Sequence, residues 1–549
     1  MSGTGLETVF TEDELASSTD LVDCRQENSN TQSGSTTASL GHTTVDFHFE
    51  EDYSEGETIL DGNVTVSGKE RHLQLKSKGL KLTSCKSEKK DKQEVLFLVW
   101  RDIIQVEKES KDSEQQEQTT FLLHHINRRS NSVLRLETVK IEDFGGHGEK
   151  WINIIYDQCH KVRGRPHKLF VLINPIGGAG KGRQIYLKSV APLLALAEIQ
   201  TTVLTTEKSK HALEIGETHD FSLYDGIVIV GGDGLYQELL QGYTIQIQKR
   251  SGVNYHSSEA EFAKPNIPIG IIPAGTGNGV SGWVNGTIDI ETAVLNIIRG
   301  ENRRAEIFTV HSREKFVCIS ALVFGYGMFS DMIKRTDELR WMKKARYPYA
   351  AAVTLFKKKR VFKCELTYRL RKDLTSTDPC NNSTENKLDP DKQEQNHNSD
   401  WITYTKSNNR YCGIFSFACD AVDLEDRCVI NPFGSHVQLG IDTGCGQIAL
   451  LKSLIKFSTG KKAPSTTPQN LDFISNVTAF RIKLLRDDTE TDDSVSGARA
   501  KARELENLLD IDGEVVYVEN PEMEVRLHVS FVPLYGCIRM NRTEVANGK

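Results

Sequence analysis

The sequence predicts an α/β nucleotide-binding domain flanked by strand-rich segments, and three glycine-rich turns carry that prediction. Each turn directly follows an apolar run typical of a buried strand; the pairs are Leu169–Ile173 with Asn174–Gly182, Gly226–Val230 with Gly231–Gly234, and Ile267–Ile272 with Pro273–Asn278. Strand patterns that alternate with helical patterns indicate a parallel sheet. Ligands of such sheets lie beyond the carboxyl ends of the strands, where all three turns fall.

The composition of the turns suits phosphate groups. Glycine lets backbone N–H groups approach phosphate oxygens closely, and a helix that starts just afterwards adds a positive dipole end. The spacing predicts such a helix over Gln184–Ala197. The first turn lacks the Gly-Lys-Ser/Thr ending of a P-loop, and the next strand, Thr201–Thr205, ends without the acidic residue of a dinucleotide site. The sequence therefore predicts a nucleotide cleft of another type.

Together the three turns resemble the catalytic domain shared by diacylglycerol, sphingosine and ceramide kinases. Later segments are most similar to ceramide kinases, and they occur in that family's order: Gly325–Asp331, Arg340–Trp341, Ala345–Tyr347, Asp512–Glu514 and Glu524–Val529. The sequence departs from ceramide kinases at one point. Those proteins share a cluster of cysteines after the catalytic half, whereas the matching stretch of this chain contains only Cys380. The turn Pro273–Asn278 is closer to the sphingosine branch.

Asp233 is the only carboxylate on a glycine turn, and the resemblance implies that it is the general base of phosphoryl transfer. The alternative is an aspartate that caps the helix starting near Leu235. The resemblance also implies ATP and Mg²⁺ as cofactors, with no metal ligand assigned to the chain itself. The residues expected to line the nucleotide site are Asn174, Pro175, Ile176, Gly177, Gly178, Gly180, Thr206, Glu207, Gly231, Gly232, Gly234, Gly275, Thr276 and Gly277.

Further residues take roles from the same resemblance. Arg340 and Arg346 are expected to reach the phosphates, although a solvated basic helix face is the alternative. Asp331 matches the acidic residue that engages the polar head of the lipid. Asp512 and Glu514 are expected to support the nucleotide or magnesium, and a type I′ hairpin turn would equally favour Asp-Gly.

Composition narrows the class of protein. A net charge of −7 argues against a nucleic-acid partner. Eleven scattered cysteines favour reduced thiols in the cytoplasm, and no apolar run is long enough to span a bilayer. We therefore expect peripheral membrane association, at the Golgi or the plasma membrane, with calmodulin considered as a further partner.

The chain is expected to fold as four successive parts. Residues 1–62 are acidic and polar and predict a disordered tail; residues 63–162 read as strands closed by a helix over Lys150–Cys159, which resembles a pleckstrin-homology domain. Residues 163–306 form the α/β catalytic domain. Residues 307–549 are expected to form a β-sandwich lipid-binding domain with disordered insertions at 372–400 and 487–502, and with strands that include Val361–Leu370, Tyr411–Ala418 and Gln447–Leu451.

Two surfaces are candidates for membrane contact. Lys76, Lys78 and Lys81 suit a phosphoinositide site or a solvated basic loop, and residues 450–457 suit an interfacial, partner-binding or core helix. The sequence thus predicts a lipid kinase that phosphorylates the primary hydroxyl of ceramide. Sphingosine and diacylglycerol remain alternative substrates, and a catalytically silent lipid-binding adaptor is the alternative of another class.

Overall fold

The structure, a computed structural model, describes residues 56–84, 95–109, 118–129, 133–346, 349–350, 353, 360–371, 400–419, 436–446, 448–450, 452, 468–485, 505–520 and 522–536. Nearly all of the predicted tail and both predicted insertions, and most of residues 450–457, lie outside these ranges. The chain divides into two compact units. The first comprises the residues up to His167 with 186–203 and 298–300; the second comprises 168–185, 204–297 and everything from 301 onward.

Antiparallel strands dominate the first unit. They are β1 (Thr58–Val66), β2 (Lys69–Lys76), β3 (Gly79–Ser84), β4 (Val95–Val99), β5 (Ile103–Lys108), β6 (Thr119–Arg128) and β7 (Leu134–Asp143). Within the described ranges they form one sheet in the order β4-β3-β2-β1-β7-β6-β5. Helix α1 (Gly148–His160) packs against β5 and β6 and buries Trp151 and Ile155. Strand β2 shows the alternation typical of a half-buried strand, because Leu73 and Leu75 are buried and Gln74 between them is not.

The helix that follows the first glycine turn is interrupted. It consists of α2 (Gly182–Ile185), a π-helical turn (Tyr186–Val190) and α3 (Ala191–Leu196). The predicted helix over Gln184–Ala197 is therefore present, with a π-helical turn before Pro192, which has no N–H to donate and whose ring crowds the preceding turn.

Polar contacts secure the segments of the first unit that come from later in the chain. Glu198 accepts hydrogen bonds from Gln105 Nε2 (2.7 Å) and Tyr156 Oη (2.9 Å). Arg299 Nε donates to Asp102 Oδ1 at 2.8 Å, and both side chains are buried. A deletion of residues 1–162 would remove the hydrogen-bond partners of Glu198, which lies after the first glycine turn. Point variants therefore test the function of this unit with less disturbance of the fold than a deletion.

The second unit is built on parallel strands. Strands β8 (Lys168–Ile173), β10 (Gly226–Gly231) and β11 (Ile269–Pro273) pair in parallel with fully buried cores, as expected for strands covered on both faces. Strand β9 is Gln200–Thr205, and the helices are α4 (His211–Thr218), α5 (Asp233–Arg250), α6 (Gly279–Asn285) and α7 (Ile290–Arg299). The mixed α/β class with several sheets is confirmed.

Strands from the C-terminal half extend the parallel core. They are β12 (Asn302–Ser312), β13 (Lys315–Ser320), β15 (Phe362–Leu370), β16 (Ile402–Thr403), β17 (Arg410–Tyr411), β21 (Val477–Leu484) and β24 (Glu522–Tyr535). The order runs β16-β15-β21-β24-β11-β10-β8, with β12 also paired to β24 and β13, and β17 paired to β15. Because β24 pairs in parallel with β11, the strands of the parallel core and the C-terminal strands share one sheet.

A further sheet carries the remaining strands. In the described residues its order is β20-β19-β18-β14-β22-β23. The strands are β14 (Val323–Gly327), β18 (Gly413–Cys419), β19 (His436–Asp442), β20 (Leu471–Ile474), β22 (Leu508–Ile511) and β23 (Glu514–Tyr517), and helix α8 (Met328–Glu338) follows β14. The predicted strand over Gln447–Leu451 is wrong, because Ile448–Leu450 are helical, with Leu450 buried and Ile448 exposed. No helix in the described part of the chain is both long and apolar enough to cross a membrane.

Candidate active site

The three glycine turns meet at the carboxyl edge of the parallel strands. A Cβ atom on Gly178, whose φ is +62°, would collide with the carbonyl oxygen of Ala274 in the third turn. A Cβ on Gly232 would lie 2.9 Å from the Cα of Gly275 and 2.7 Å from the carbonyl oxygen of Gly277. Backbone therefore packs directly on backbone where the turns meet, and only glycine fits there.

Side-chain oxygens fix the shape of the first turn. Asn174 Oδ1 accepts hydrogen bonds from the N–H groups of Ile176 (3.1 Å) and Gly177 (2.9 Å). Thr206 N–H donates to the carbonyl of Ile173 at 2.9 Å, which places this predicted residue beside the base of the turn. The side chain of Ile176 is 86% exposed, so it lies at the open tip of the turn.

An asparagine outside the predicted set closes the third turn. Asn278 Oδ1 accepts the N–H of Gly275 at 3.0 Å, and its Nδ2 donates to the carbonyl of the same residue at 3.1 Å. The neighbouring Thr276 is half-buried and Gly277 is exposed. The signal for Asn278 is its position as the last residue of the Pro-Ala-Gly-Thr-Gly-Asn sequence.

Asp233 joins the second turn to the helix behind the third. Its Oδ2 accepts the N–H of Gly279 at 2.8 Å and its Oδ1 accepts the N–H of Val280 at 3.0 Å, so the carboxylate holds the start of α6. The alternative role considered from sequence, capping the helix near Leu235, is thus not the one observed, because Asp233 itself begins α5. Each carboxylate oxygen keeps a further lone pair that can accept a proton or hydrogen bond.

Burial makes Asp233 a better base than an exposed aspartate. Loss of solvent raises the pKa of its carboxyl, and the two hydrogen bonds from Gly279 and Val280 oppose that rise without cancelling it. A base is most effective when its pKa lies close to the working pH, and this shift moves Asp233 in that direction.

Asp512 is held by the chain itself. Its carboxylate accepts hydrogen bonds from Ser320 Oγ (2.8 Å) and from the N–H groups of Ala321 (2.6 Å), Leu322 (2.8 Å) and Val323 (2.9 Å). Asp512 and Gly513 both have positive φ, +55° and +84°, as a type I′ turn between β22 and β23 requires. The residue thus positions the segment that leads into β14, and its role in supporting the nucleotide or magnesium stays a prediction.

Glu514 faces the second glycine turn. Its Oε1 lies 3.5 Å from where a Cβ of Gly234 would be, and its side chain is exposed. Glu238, one helical turn after Gly234, accepts backbone N–H groups of Lys210 and Ala212 at the start of α4. Burial raises the pKa of Glu238, and the charge of Glu514 raises it further. Glu238 therefore positions the loop that contains the exposed Glu207, and it was not predicted from the sequence.

Asp510 is a buried carboxyl beneath the same hairpin. Its side chain is buried against Gly325, and its Oδ1 accepts the N–H of Gly513 at 2.9 Å. Burial raises its pKa from 3.8 to about 8; the charges of Asp512 and Glu514 add to the rise, and the Gly513 hydrogen bond opposes it. Asp510 is therefore mainly protonated at neutral pH.

The remaining predicted residues lie on α8 and after it. Asp331, in the first turn of α8, forms a two-pronged ion pair with Arg360. Helix α8 packs against β22 and β23, the hairpin that carries Asp512 and Glu514. Arg340 begins a 3₁₀ helix, Arg340–Ala345, and Arg346 directly follows it; the side chain of Arg340 lies outside the described part of the chain. Among the described residues, no cluster of three or more His, Cys, Asp or Glu side chains could hold a metal ion alone.

Comparison with known proteins gives a consistent result. Residues 168–310 match the diacylglycerol kinase catalytic domain. The chain is 27% identical to the ceramide kinase of Homo sapiens over 413 residues, which span 70% of this chain and 76% of that protein. It is 30% identical to ceramide kinase 1 of Caenorhabditis elegans over 43% of this chain and 44% of that protein. The chain is a ceramide-kinase-like lipid kinase.

Sphingosine kinases are also similar to this lipid kinase. Sphingosine kinase 2 of Arabidopsis thaliana is 33% identical over 35% of this chain and 40% of that protein. The predicted class, an ATP-dependent lipid kinase, is confirmed, whereas identity alone does not choose between ceramide and sphingosine.

The position of Asp233 leads to a first testable prediction. Asp233→Asn keeps the size of the side chain but removes its ability to take a proton, so we expect turnover to fall by about 10²–10⁴-fold. The amide would also weaken the hydrogen bonds from the N–H groups of Gly279 and Val280 at the start of α6, which should lower the free energy of unfolding by about 1 kcal/mol. Steady-state kinetics and thermal unfolding measure the two effects separately.

Asp289 provides the matched control. It caps α7 by accepting Thr292 N–H at 2.9 Å and lies outside the three turns. Asp289→Asn should cost similar stability while turnover stays within a few-fold of wild type. Near-normal turnover in Asp233→Asn would remove this residue from the role of base.

The buried Asp510 gives a prediction about pH and stability. The unfolded chain ionises this carboxyl near its usual pKa of 3.8, whereas the folded chain keeps it protonated up to about pH 8. The stability contributed by the neutral carboxyl is therefore complete at low pH and is lost as the pH rises from about 4 to about 8. Asp510→Asn stays neutral throughout, so its free energy of unfolding relative to wild type should rise by about 1.4 kcal/mol per pH unit over this range.

Urea unfolding at about pH 5 and about pH 8 tests this expectation. The exposed Asp157, changed to Asn, is the control for general effects of charge. Identical pH dependence in wild type and Asp510→Asn would show that Asp510 is ionised in the folded chain.

Proposed function

We propose that this chain transfers the γ-phosphoryl group of ATP to the primary hydroxyl of ceramide, giving ceramide 1-phosphate and ADP. The observation that supports this proposal most is the half-buried Asp233 carboxylate at the meeting point of three glycine turns. The similarity to human ceramide kinase over most of both chains supports the choice of lipid.

The glycine turns would hold the nucleotide. Exposed backbone N–H groups of such turns suit the phosphate oxygens of ATP, and Asn174, Thr206 and Thr276 lie on or beside the turns. Arg340 and Arg346 would neutralise phosphate charge, since a guanidinium does so without titrating. Asp331 would face the polar head of the lipid.

Magnesium fits this arrangement as a companion of ATP. Mg²⁺ is usually bound through one or two carboxylates together with phosphate oxygens of the substrate. Glu514, exposed beside Gly234, is the carboxylate that suits this role, whereas the oxygens of Asp512 are taken up by four protein donors. When bound, the ion would offset the charge that develops on the phosphates.

The transfer itself needs one proton acceptor. As the hydroxyl oxygen of the lipid bonds to the γ-phosphorus and the bond to the β-phosphate oxygen breaks, Asp233 would take the hydroxyl proton. The hydrogen bonds from Gly279 and Val280 keep the carboxylate fixed during this step and stabilise its ionised form.

We also propose the finer division of the chain. Residues 63–162 would act as a pleckstrin-homology-like domain, residues 163–306 as the catalytic domain, and residues 307–549 as a β-sandwich that receives the lipid. The substrate stays in a bilayer, so the protein would work at the membrane surface of the Golgi or the plasma membrane. Calmodulin would be a partner of the apolar and basic residues around 450–462.

Identification of the product tests the proposed reaction. Purified chain, labelled ATP and Mg²⁺ should convert short-chain ceramide into ceramide 1-phosphate faster than they convert sphingosine or diacylglycerol, as read by mass spectrometry. Asp233→Asn is the blank for contaminating kinases. A phosphorylated diacylglycerol as the main product would replace the proposed substrate, and no labelled lipid at all would favour a silent adaptor.

The proposed membrane surface gives another expectation. Each basic residue near an anionic membrane contributes about 1 kcal/mol, so changing Lys76, Lys78 and Lys81 to Ala should weaken binding to phosphoinositide-containing vesicles by on the order of 100-fold. The control changes three other exposed lysines of the first unit to Ala: Lys108, Lys140 and Lys161. Equal losses in both triple variants would mean that general charge, not this surface, attracts the vesicles.

A further inference from the structure

Asp331 and Arg360 form a bidentate ion pair, in which two nitrogens of the guanidinium each donate to one carboxylate oxygen. Arg360 Nε lies 3.2 Å from Asp331 Oδ2, and Arg360 Nη2 lies 3.0 Å from Asp331 Oδ1. The same Nη2 donates to the carbonyl of Leu505 at 3.2 Å, which anchors the guanidinium to the segment ahead of β22. The side chains are only 26% and 21% exposed, so solvent screens the pair weakly.

Two buried aromatic residues of the hydrophobic core, Tyr326 and Phe362, lie near this pair. Tyr326 Oη donates to the carbonyl of Glu506 at 2.8 Å, next to the Leu505 carbonyl that accepts from Arg360, and the Tyr326 ring packs edge-on against Phe362 with 4.7 Å between ring centroids. Phe362 follows Arg360 by two residues at the start of β15. The pair therefore rests on packed core at one side, and it is the charged side chains, 26% and 21% exposed, that a lipid head could reach.

The pairing changes what Asp331 can recognise. A lone carboxylate would attract the ammonium group of a sphingoid base, but here both carboxylate oxygens already accept from a guanidinium and the pair has no net charge. A second cation beside it would also meet the positive charge of Arg360. A lipid amide has complementary groups instead, since its carbonyl can accept from a remaining guanidinium N–H and its N–H can donate to the carboxylate.

We infer that Arg360 is a specificity-determining residue, which pairs with Asp331 and so selects a neutral N-acylated sphingoid lipid over the free amine. This inference rests on the proposed function, in which Asp331 faces the head of the lipid. It assigns the choice of lipid to a residue outside the three glycine turns.

The test compares two lipids in one variant. Arg360→Ala leaves Asp331 with an unpaired charge, so the ratio of kcat/KM for ceramide to kcat/KM for sphingosine should fall by at least about tenfold, while the KM for ATP stays unchanged. Arg360→Lys keeps the charge without the fork and should shift the ratio less, in the same direction.

Arg481→Ala is the matched control, because Arg481 forms a comparable pair with Glu524 at 2.7 Å in the same unit. It should change the rates for both lipids by the same factor. If Arg360→Ala does not fold, the ratio of kcat/KM values is compared between wild type and Arg360→Lys instead.

The outcomes separate this inference from the proposed function. A wild-type chain that phosphorylates neither lipid contradicts the proposed function. A wild-type chain that prefers ceramide, with the same ratio in Arg360→Ala, Arg360→Lys and Arg481→Ala, keeps the proposed function and overturns the role of Arg360. A wild-type preference for sphingosine overturns the inference while leaving the lipid kinase class intact.

Discussion

The site depends on direct backbone packing between the three glycine turns, secured by the carboxylate of Asp233. Because this carboxylate accepts the first N–H groups of α6, it fixes the third turn against the second. The first turn closes on the third where Gly178 meets the carbonyl of Ala274. The parallel register of β8, β10 and β11 brings the three turns to one edge, so the meeting of the turns is a consequence of the sheet.

Four carboxylates near this edge differ in burial and in the number of hydrogen bonds that they accept. Asp233 is half-buried and accepts hydrogen bonds from two backbone N–H groups, whereas Asp512 accepts four hydrogen bonds from the protein. Asp510 is buried with one backbone donor and a pKa raised to about 8, while Glu514 is exposed to solvent. Such separation of environments gives neighbouring acids different protonation states and different numbers of hydrogen-bond partners.

The sequence was most informative where local chemistry decides the structure. Apolar runs located β8 and β10, and the glycine turns marked the cleft, since both signals are contained in a few adjacent residues. The apolar run at Ile448–Leu450 was misassigned as a strand because a short apolar run has the same composition in a strand and in a helix. Contacts between distant residues, such as Asp512 with the N–H groups of 321–323 and Arg360 with Asp331, leave no periodic signal, so sequence alone could not show them.

The central claim is that Asp233 takes the hydroxyl proton of the lipid at this cleft. The most direct measurement is the pH dependence of kcat/KM for ceramide in wild type and in Asp233→Asn. The account predicts that wild-type kcat/KM falls about tenfold per pH unit once the pH drops below the pKa of Asp233, which burial places above that of an ordinary aspartate. The residual activity of Asp233→Asn should lack that acid limb. The same acid limb in both proteins would contradict the account.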